Sequence, residues 1–499
     1  MKRGQLLFSL MAVILAAPRA FSQSENLAAK SQQAKELMAE GRFAEAVPLY
    51  RDLNRAVPNN AGLMLNLGMA LHMAGDERKA IPLLEAAVKL DPNLTPAWLF
   101  LGAARLQLGE VPAGANALKV VMRLEPDHRE ARLMLAGALL SLNRFEESAE
   151  QYRKLTEVNP ESSQAWYGLG RSYESLAGRA FEEVQRAAPE STYWLALVAE
   201  TRLREQQFSS AFYLYRQALE KMPGMRGLHK GVAEIYRQTG HSDWADAEEE
   251  KERQLSPPDC RAQGLECYFR AAQYSEVVAT HECAHTPESY YWRSRAYNQL
   301  ALQAFTRLGE LPPSPELHQL RAHIYNGQKK YSEAASEWKA ALELSPGDAQ
   351  IQKQFATSLK FGHNYEEALP VFQALLQREP ASAELNYLTG ETLLDLQRAE
   401  EAIPLLRRAV GLDPKLLAAH KSLARADLAI GRAMEAIPHL KAALVTDRDG
   451  SLHYQLATAY QTTDQPELAK SMLAQYQKMQ QSVAAESEAA KREVEITPP

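Results

Sequence analysis

The chain has 499 residues, 46% hydrophobic and 24% charged, with a formal net charge of -6. This balance excludes a disordered or collagen-like chain. The mild acidity also leaves no electrostatic footprint for nucleic acid or an anionic membrane surface.

In chain order, residues 1–22 stand apart. Lys2 and Arg3 precede an apolar run from Leu6 to Ala17, and Ala20-Phe21-Ser22 supplies small residues three and one before a cut. The pattern predicts a secretory signal peptide cleaved near Ser22, and a periplasmic or secreted product. An uncleaved anchor is the alternative, although the run is too short to span a bilayer comfortably. No membrane span is expected after cleavage. In that compartment disulfides persist.

From about residue 27 the chain repeats itself. Pro58, Pro92, Pro126 and Pro160 are each 34 residues apart, as are Pro223 and Pro257, and Pro346, Pro380 and Pro414. A fixed period of this length predicts a repeat architecture in which each unit is a helix hairpin. Small residues such as Ala34, Gly68, Gly102, Ala136 and Gly390 sit in the first helix. Twelve positions later come Ala46, Ala80, Gly114, Ser148 and Ala402 in the second. Facing small residues let the two backbones approach closely. A second proline series, Pro48, Pro82, Pro370, Pro404 and Pro438, is expected in the first turn of the second helix, where its missing N–H costs little.

These residues resemble tetratricopeptide repeats: Trp98, Leu101-Gly102, the two small positions and Pro126. The resemblance implies an all-α, right-handed superhelical solenoid of about 13–14 antiparallel hairpins. It also implies a non-catalytic scaffold with no cofactor, whose first helices line a concave groove for a protein or peptide partner. An N-terminal array is expected over 23–259, with regular repeats at 27–162, a shortened repeat at 163–191 and repeats at 192–259. Irregular shortened repeats follow at 260–314, a C-terminal array at 315–476, and a capping helix and tail at 477–499. Gly114, Ser148 and Arg448 depart from the pattern and weaken single units. The Lys and Asn set by which chaperone-tail binders of this family hold a carboxylate is missing; Asn66 stands alone. A structural subunit of an envelope assembly is another reading, and the oligomeric state is open.

The period breaks twice. Pro160 to Pro189 is 29 residues, Pro257 to Pro287 is 30, and Pro287 to Pro312 is 25. The shortened units resemble each other, Trp166 leading to Ala180-Phe181 and Trp292 to Ala304-Phe305. The three cysteines, Cys260, Cys267 and Cys283, lie in or beside the second break. One disulfide and one thiol is the simplest arithmetic. Cys260 can join Cys267 if the stretch from Pro257 to Gly264 is loop, and Cys283 if the two share a helix; three unpaired thiols are the third arrangement. The break also holds His281-Glu282-Cys283-Ala284-His285, where two His at i and i+4 could bind zinc with Glu282 as general base of a peptidase. Against this, Pro287 follows at once and the nearest Glu-x-x-x-Asp, Glu391 to Asp395, lies on a distant repeat. An ordinary helix is the preferred reading.

A groove face is expected at i, i+4 and i+7 on each first helix. The N-terminal stripe is apolar: Leu65, Met69 and His72; Leu99, Ala103 and Leu106; Leu133, Gly137 and Leu140. It suits an apolar peptide or an amphipathic helix. The C-terminal stripe is polar and partly basic: Lys353, Thr357 and Lys360; Tyr387, Glu391 and Leu394; Lys421, Arg425 and Leu428. It suits an acidic or polar segment, with Tyr387 as an anchor. The plainer reading is that the leucines pack between layers and the lysines are solvated charge.

Overall fold

The computed structural model describes residues 17–279, 285–493 and 495–499, and these contain helices and no strand. The leader run before Ala17 and the string from His281 to Ala284 lie outside them. The chain forms two compact units. One holds the residues up to Leu176 together with Leu300–Ala304, the other Ala177–Gln299 and Phe305–Pro499.

The first unit opens with α1 (Ala17–Ala39) and α2 (Phe43–Ala56), then α3 (Ala61–Met73) and α4 (Glu77–Leu90). Next come α5 (Thr95–Gln107) and α6 (Val111–Leu124), then α7 (Arg129–Ser141) and α8 (Phe145–Val158). A single long helix, α9 (Ser163–Ala187), comes after them. The second unit continues with α10 (Thr192–Arg204), α11 (Phe208–Lys221), α12 (Leu228–Gln238) and α13 (Ser242–Gln254). Two short helices, α14 (Gly264–Arg270) and α15 (Tyr274–Ala279), precede another long one, α16 (Pro287–Glu310). Regular hairpins resume with α17 (Pro315–Gly327), α18 (Tyr331–Leu344), α19 (Ala349–Phe361) and α20 (Tyr365–Arg378). The remainder is α21 (Ala383–Asp395), α22 (Ala399–Leu412), α23 (Leu417–Ala429), α24 (Ala433–Ala443), α25 (Ser451–Thr462) and α26 (Pro466–Glu493).

Each regular hairpin turns on one left-handed residue. Gly41, Gly75, Gly109, Gly240 and Gly431 take this place with positive φ, and Asn143, Gln206, Lys329, His363 and Gln397 take it in other repeats. Only glycine adopts that conformation without a Cβ penalty. In the two shortened units the turn itself is gone. The expected fifth hairpin from Trp166 is the one helix α9, of 25 residues, and the unit from Trp292 is the one helix α16, of 24. With the turn-forming residues deleted, nothing stops the first helix from propagating. The two long helices meet in the second unit, where the Ser294 hydroxyl donates to the Ala177 carbonyl at 3.0 Å across 117 residues of sequence.

The second proline series falls deeper than the first turn. The helices begin at Phe43, Glu77, Tyr365, Ala399 and Ala433, so each proline is the sixth helical residue. Because the turn is so short, the second helix starts a turn earlier than the prolines suggest. All five are exposed.

The small-residue positions behave as their spacing predicts. A Cβ added at Gly102 would come within 2.8 Å of Leu118, and one at Gly114 within 3.0 Å of the Gly102 carbonyl. Gly68 and Gly390 are covered in the same way by Leu84 and Leu406. Ser148 is no weak point: its buried hydroxyl donates to the Ala136 carbonyl at 2.8 Å and meets the Ser172 hydroxyl at 3.0 Å. A satisfied buried hydroxyl does not carry the penalty of an orphaned one.

Candidate functional site

In the first unit α3 touches α5 and α5 touches α7, so first helices of successive hairpins lie side by side. The apolar stripe runs across this face. Leu65, Met69 and His72 on α3, Ala103 on α5, and Leu133, Gly137 and Leu140 on α7 all keep part of their surface. Leu99 departs from the expectation. It is 9% exposed and belongs to the core formed with Leu118, Val121 and Leu135. Leu106 also turns inward, lying over the bare backbone of Gly114. The reason is local: without a second-helix Cβ at position 114, the Leu106 side chain fills the hole. His72 is held in its hairpin, with Nδ1 2.6 Å from the buried Glu77 carboxylate and its ring edge-on to Phe100.

The C-terminal stripe is a charge network. Lys360 Nζ of α19 lies 2.9 Å from Glu391 and 3.4 Å from Asp395, both on α21. Arg425 of α23 reaches the same Asp395 at 2.8 Å, and Ser422 donates to Glu391 at 3.2 Å. Lys353 pairs with Glu384 at 2.8 Å. The face expected to suit an acidic or polar segment thus has most of its cations already paired within the chain. Its cations are answered by carboxylates 30–31 residues away in sequence, and Lys421 is exposed beside them. Leu394 is buried. Tyr387 is half-buried, and burial together with the adjacent Glu391 carboxylate pushes its hydroxyl up. Burial alone would push Glu391 up too. The Lys360 ammonium, the Tyr387 hydroxyl and Arg425 outweigh it and hold that carboxyl below 4.5.

A carboxyl depressed in the folded state contributes stability above its ordinary value, and that contribution is lost as pH falls through the lowered one. Acid below about pH 4.5 is therefore expected to loosen α19, α21 and α23 before the regular N-terminal hairpins. Hydrogen exchange read across pH 3–6 checks this, and Glu391→Gln should flatten the pH dependence of these helices.

At the second break, Cys260 and Cys267 form a disulfide with their Cα atoms 5.7 Å apart. Residues 255–263 are not helical, which is the condition under which this pair could close. Cys283, His281 and Glu282 lie outside the described residues, and His285 Nδ1 sits 2.8 Å from the Tyr290 hydroxyl. Among the described residues no group of three His, Cys, Asp or Glu is placed to hold a metal.

Two arrangements lie outside the proline and small-residue periods. Gly168 lies under the Tyr152 ring and Gly231 under the Tyr215 ring, where an added Cβ would fall 2.2 and 2.3 Å from ring carbons. In the second unit Arg295 sits over the Phe269, Tyr291 and Trp292 rings at 4.8, 5.3 and 5.4 Å. It donates to the Tyr291 hydroxyl at 2.9 Å and faces Glu200 at 3.3 Å. This aromatic cage joins α10, α14 and α16 where regular hairpins are missing.

Fold and surface together define a scaffold of stacked helix hairpins. Tetratricopeptide-repeat family models match residues 31–95 and 354–416, and a second such model matches residues 106–171. The chain is a tetratricopeptide-repeat protein. Comparison with curated proteins by sequence finds no match. Among solved structures, a crystal structure of MamA protein is 23% identical, with a TM-score of 0.29 over 40% of this chain and 92% of that one. A tetratricopeptide repeat protein from Parabacteroides merdae is 15% identical, with a TM-score of 0.33 over 67% of this chain and 99% of that one. The first tetratricopeptide domain of Spaghetti (RPAP3), bound to an HSP90 peptide, is 25% identical, with a TM-score of 0.23 over 24% of this chain and 94% of that one.

Proposed function

We propose that the chain is a non-catalytic extracytoplasmic scaffold that holds a protein or peptide partner on the first-helix face of α3, α5 and α7. The observation that carries this is the half-exposed apolar stripe formed by Met69, Ala103, Leu133, Gly137 and Leu140 on adjacent helices. The small Ala103 and Gly137 leave room between larger side chains, which suits an amphipathic helix laying its apolar edge across the face. Export is supported by Lys2-Arg3, the apolar run to Ala17 and the small residues before Gln23. A bonded Cys260–Cys267 pair fits an oxidising compartment. No described helix is long and apolar enough to cross a membrane.

The test is selection of helical peptides from a displayed library on the chain from Gln23 onward. Binders are expected to weaken at least tenfold on Met69→Asp or Leu140→Asp, with circular dichroism unchanged. Binders indifferent to both substitutions would place the partner elsewhere. N-terminal sequencing of protein from the envelope fraction should start near Gln23; a cytosolic product starting at Met1 would reject export.

A further inference from the structure

The last five residues of the sequence, Glu495–Pro499, do not trail off the final hairpin. The helix before them, α26, runs 28 residues; its Tyr476 packs against Tyr454 of α25, and its Gln480 donates to the Asp449 carbonyl just ahead of α25. At 1.5 Å per residue it is long enough to carry the terminal segment about 40 Å. That segment returns to α12. The Tyr236 hydroxyl donates to the Thr497 carbonyl at 2.6 Å, across 261 residues of sequence, and Ile496 packs against the same core cluster as Tyr236.

The receiving surface is aromatic. Tyr236 lies between Phe212 at 5.6 Å and Trp244 at 5.5 Å, and His241 stacks on Trp244 at 4.1 Å. The hairpin that should follow α13 begins with α14, of seven residues against the 13 of a regular first helix. Leu265 of α14 and Val277 of α15 join the same cluster. The segment that meets Tyr236 has no regular secondary structure and holds an aliphatic residue, a threonine and two prolines. The two prolines do not enter this face; Ile496 packs against it and the Tyr236 hydroxyl fixes the Thr497 main-chain carbonyl, so an aliphatic side chain and one carbonyl are what it holds.

The contact is also weakly held. Only Ile496 is partly buried, while Glu495, Thr497, Pro498 and Pro499 stay exposed. One half-buried aliphatic side chain and one hydrogen bond are not enough to hold a free peptide tightly. They suffice for a tethered one, whose local concentration is on the order of 1 mM.

We propose that the aromatic face around Tyr236 is a recognition site for an aliphatic side chain and the main-chain carbonyl of the residue after it, and that Ile496–Thr497 is its tethered, displaceable occupant. A partner carrying the same chemistry competes with it. The site is built on α12 and not on α3, α5 or α7, uses a different probe, and stands or falls separately.

The experiment measures fluorescence anisotropy of a labelled synthetic peptide of residues 493–499 against the full chain and against the full chain with Ile496→Asp. The substituted chain is expected to bind the peptide at least tenfold more tightly, because its own segment no longer fills the site. A chain ending at Val494 repeats the test without introducing a charge and should behave alike. Adding Tyr236→Phe to either should weaken the peptide about fivefold, the effect of one hydrogen bond. If neither emptied chain takes the peptide, or if both bind it no better than wild type, Ile496–Thr497 is a fixed strap and the proposal is overturned.

Discussion

Leu99→Asp is expected to destabilise the α5–α6–α7 region by about 4 kcal/mol, while Leu133→Asp costs about 1 kcal/mol or less. The two leucines hold the same place in successive repeats, and sequence spacing puts both on the groove. The structure separates them. Leu99 is 9% exposed among Leu118, Val121 and Leu135, whereas Leu133 keeps part of its surface. Removing a buried leucine forfeits about 2–3 kcal/mol of burial. A carboxylate in its place has no cation within the cluster and must either ionise in an apolar site or take up a proton. Thermal denaturation followed at 222 nm checks both substitutions. A Leu99→Asp variant that melts like wild type would return that residue to the groove.

The difference between these residues shows how far local pattern carries. The 34-residue spacing of prolines and the small pairs at i and i+12 are strictly local signals. They locate the hairpins because each unit packs first on itself and then on its neighbours. What they miss depends on residues from other units or on deletions. Loss of five residues between Pro160 and Pro189 reads as a short hairpin, but the residues lost are those of the turn, so α9 is continuous. That α9 then meets α16 through Ala177 and Ser294 follows from no periodicity.

The candidate surfaces are legible in residue type and less so in state. Lys360 and Arg425 are first-helix cations, as their spacing says. Their charge is cancelled because Glu391 and Asp395, about one period away, point between them. The signal is present in the sequence as carboxylates on the same stripe of the middle helix. Spacing describes one helix at a time, whereas adjacent first helices share their side chains. The disulfide stays between alternatives in the sequence because its answer lies in whether residues 255–263 are helical. The prolines at 257 and 258 settle that only together with the fold.

Gly231→Ala is expected to cost about 3 kcal/mol, against the usual gain of about 0.5–1 kcal/mol for replacing a helical glycine with alanine. The sign is decided by one contact. Gly231 lies inside α12 with ordinary helical backbone, so alanine is favoured there by backbone entropy. Its Cβ, however, would stand 2.3 Å from the Tyr215 ring, less than any two carbons tolerate. Tyr215 is 3% exposed and cannot swing away without opening the cluster that also holds Phe212 and Tyr236. Gly178, in the middle of α9, has nothing within 4 Å of the same added atom, so Gly178→Ala should stabilise by that small gain. Gly168 under Tyr152 repeats the arrangement in the other unit and should behave like Gly231. In both places a glycine two residues before the small first-helix position coincides with a tyrosine four residues after the small second-helix position of the preceding repeat. A ring seated on bare backbone lets two layers approach where an alanine would hold them apart. Urea unfolding of Gly231→Ala and Gly178→Ala checks the opposite signs. A neutral Gly231→Ala would mean that the Tyr215 layer yields, and that the spacing between hairpins here is set by something other than ring on glycine.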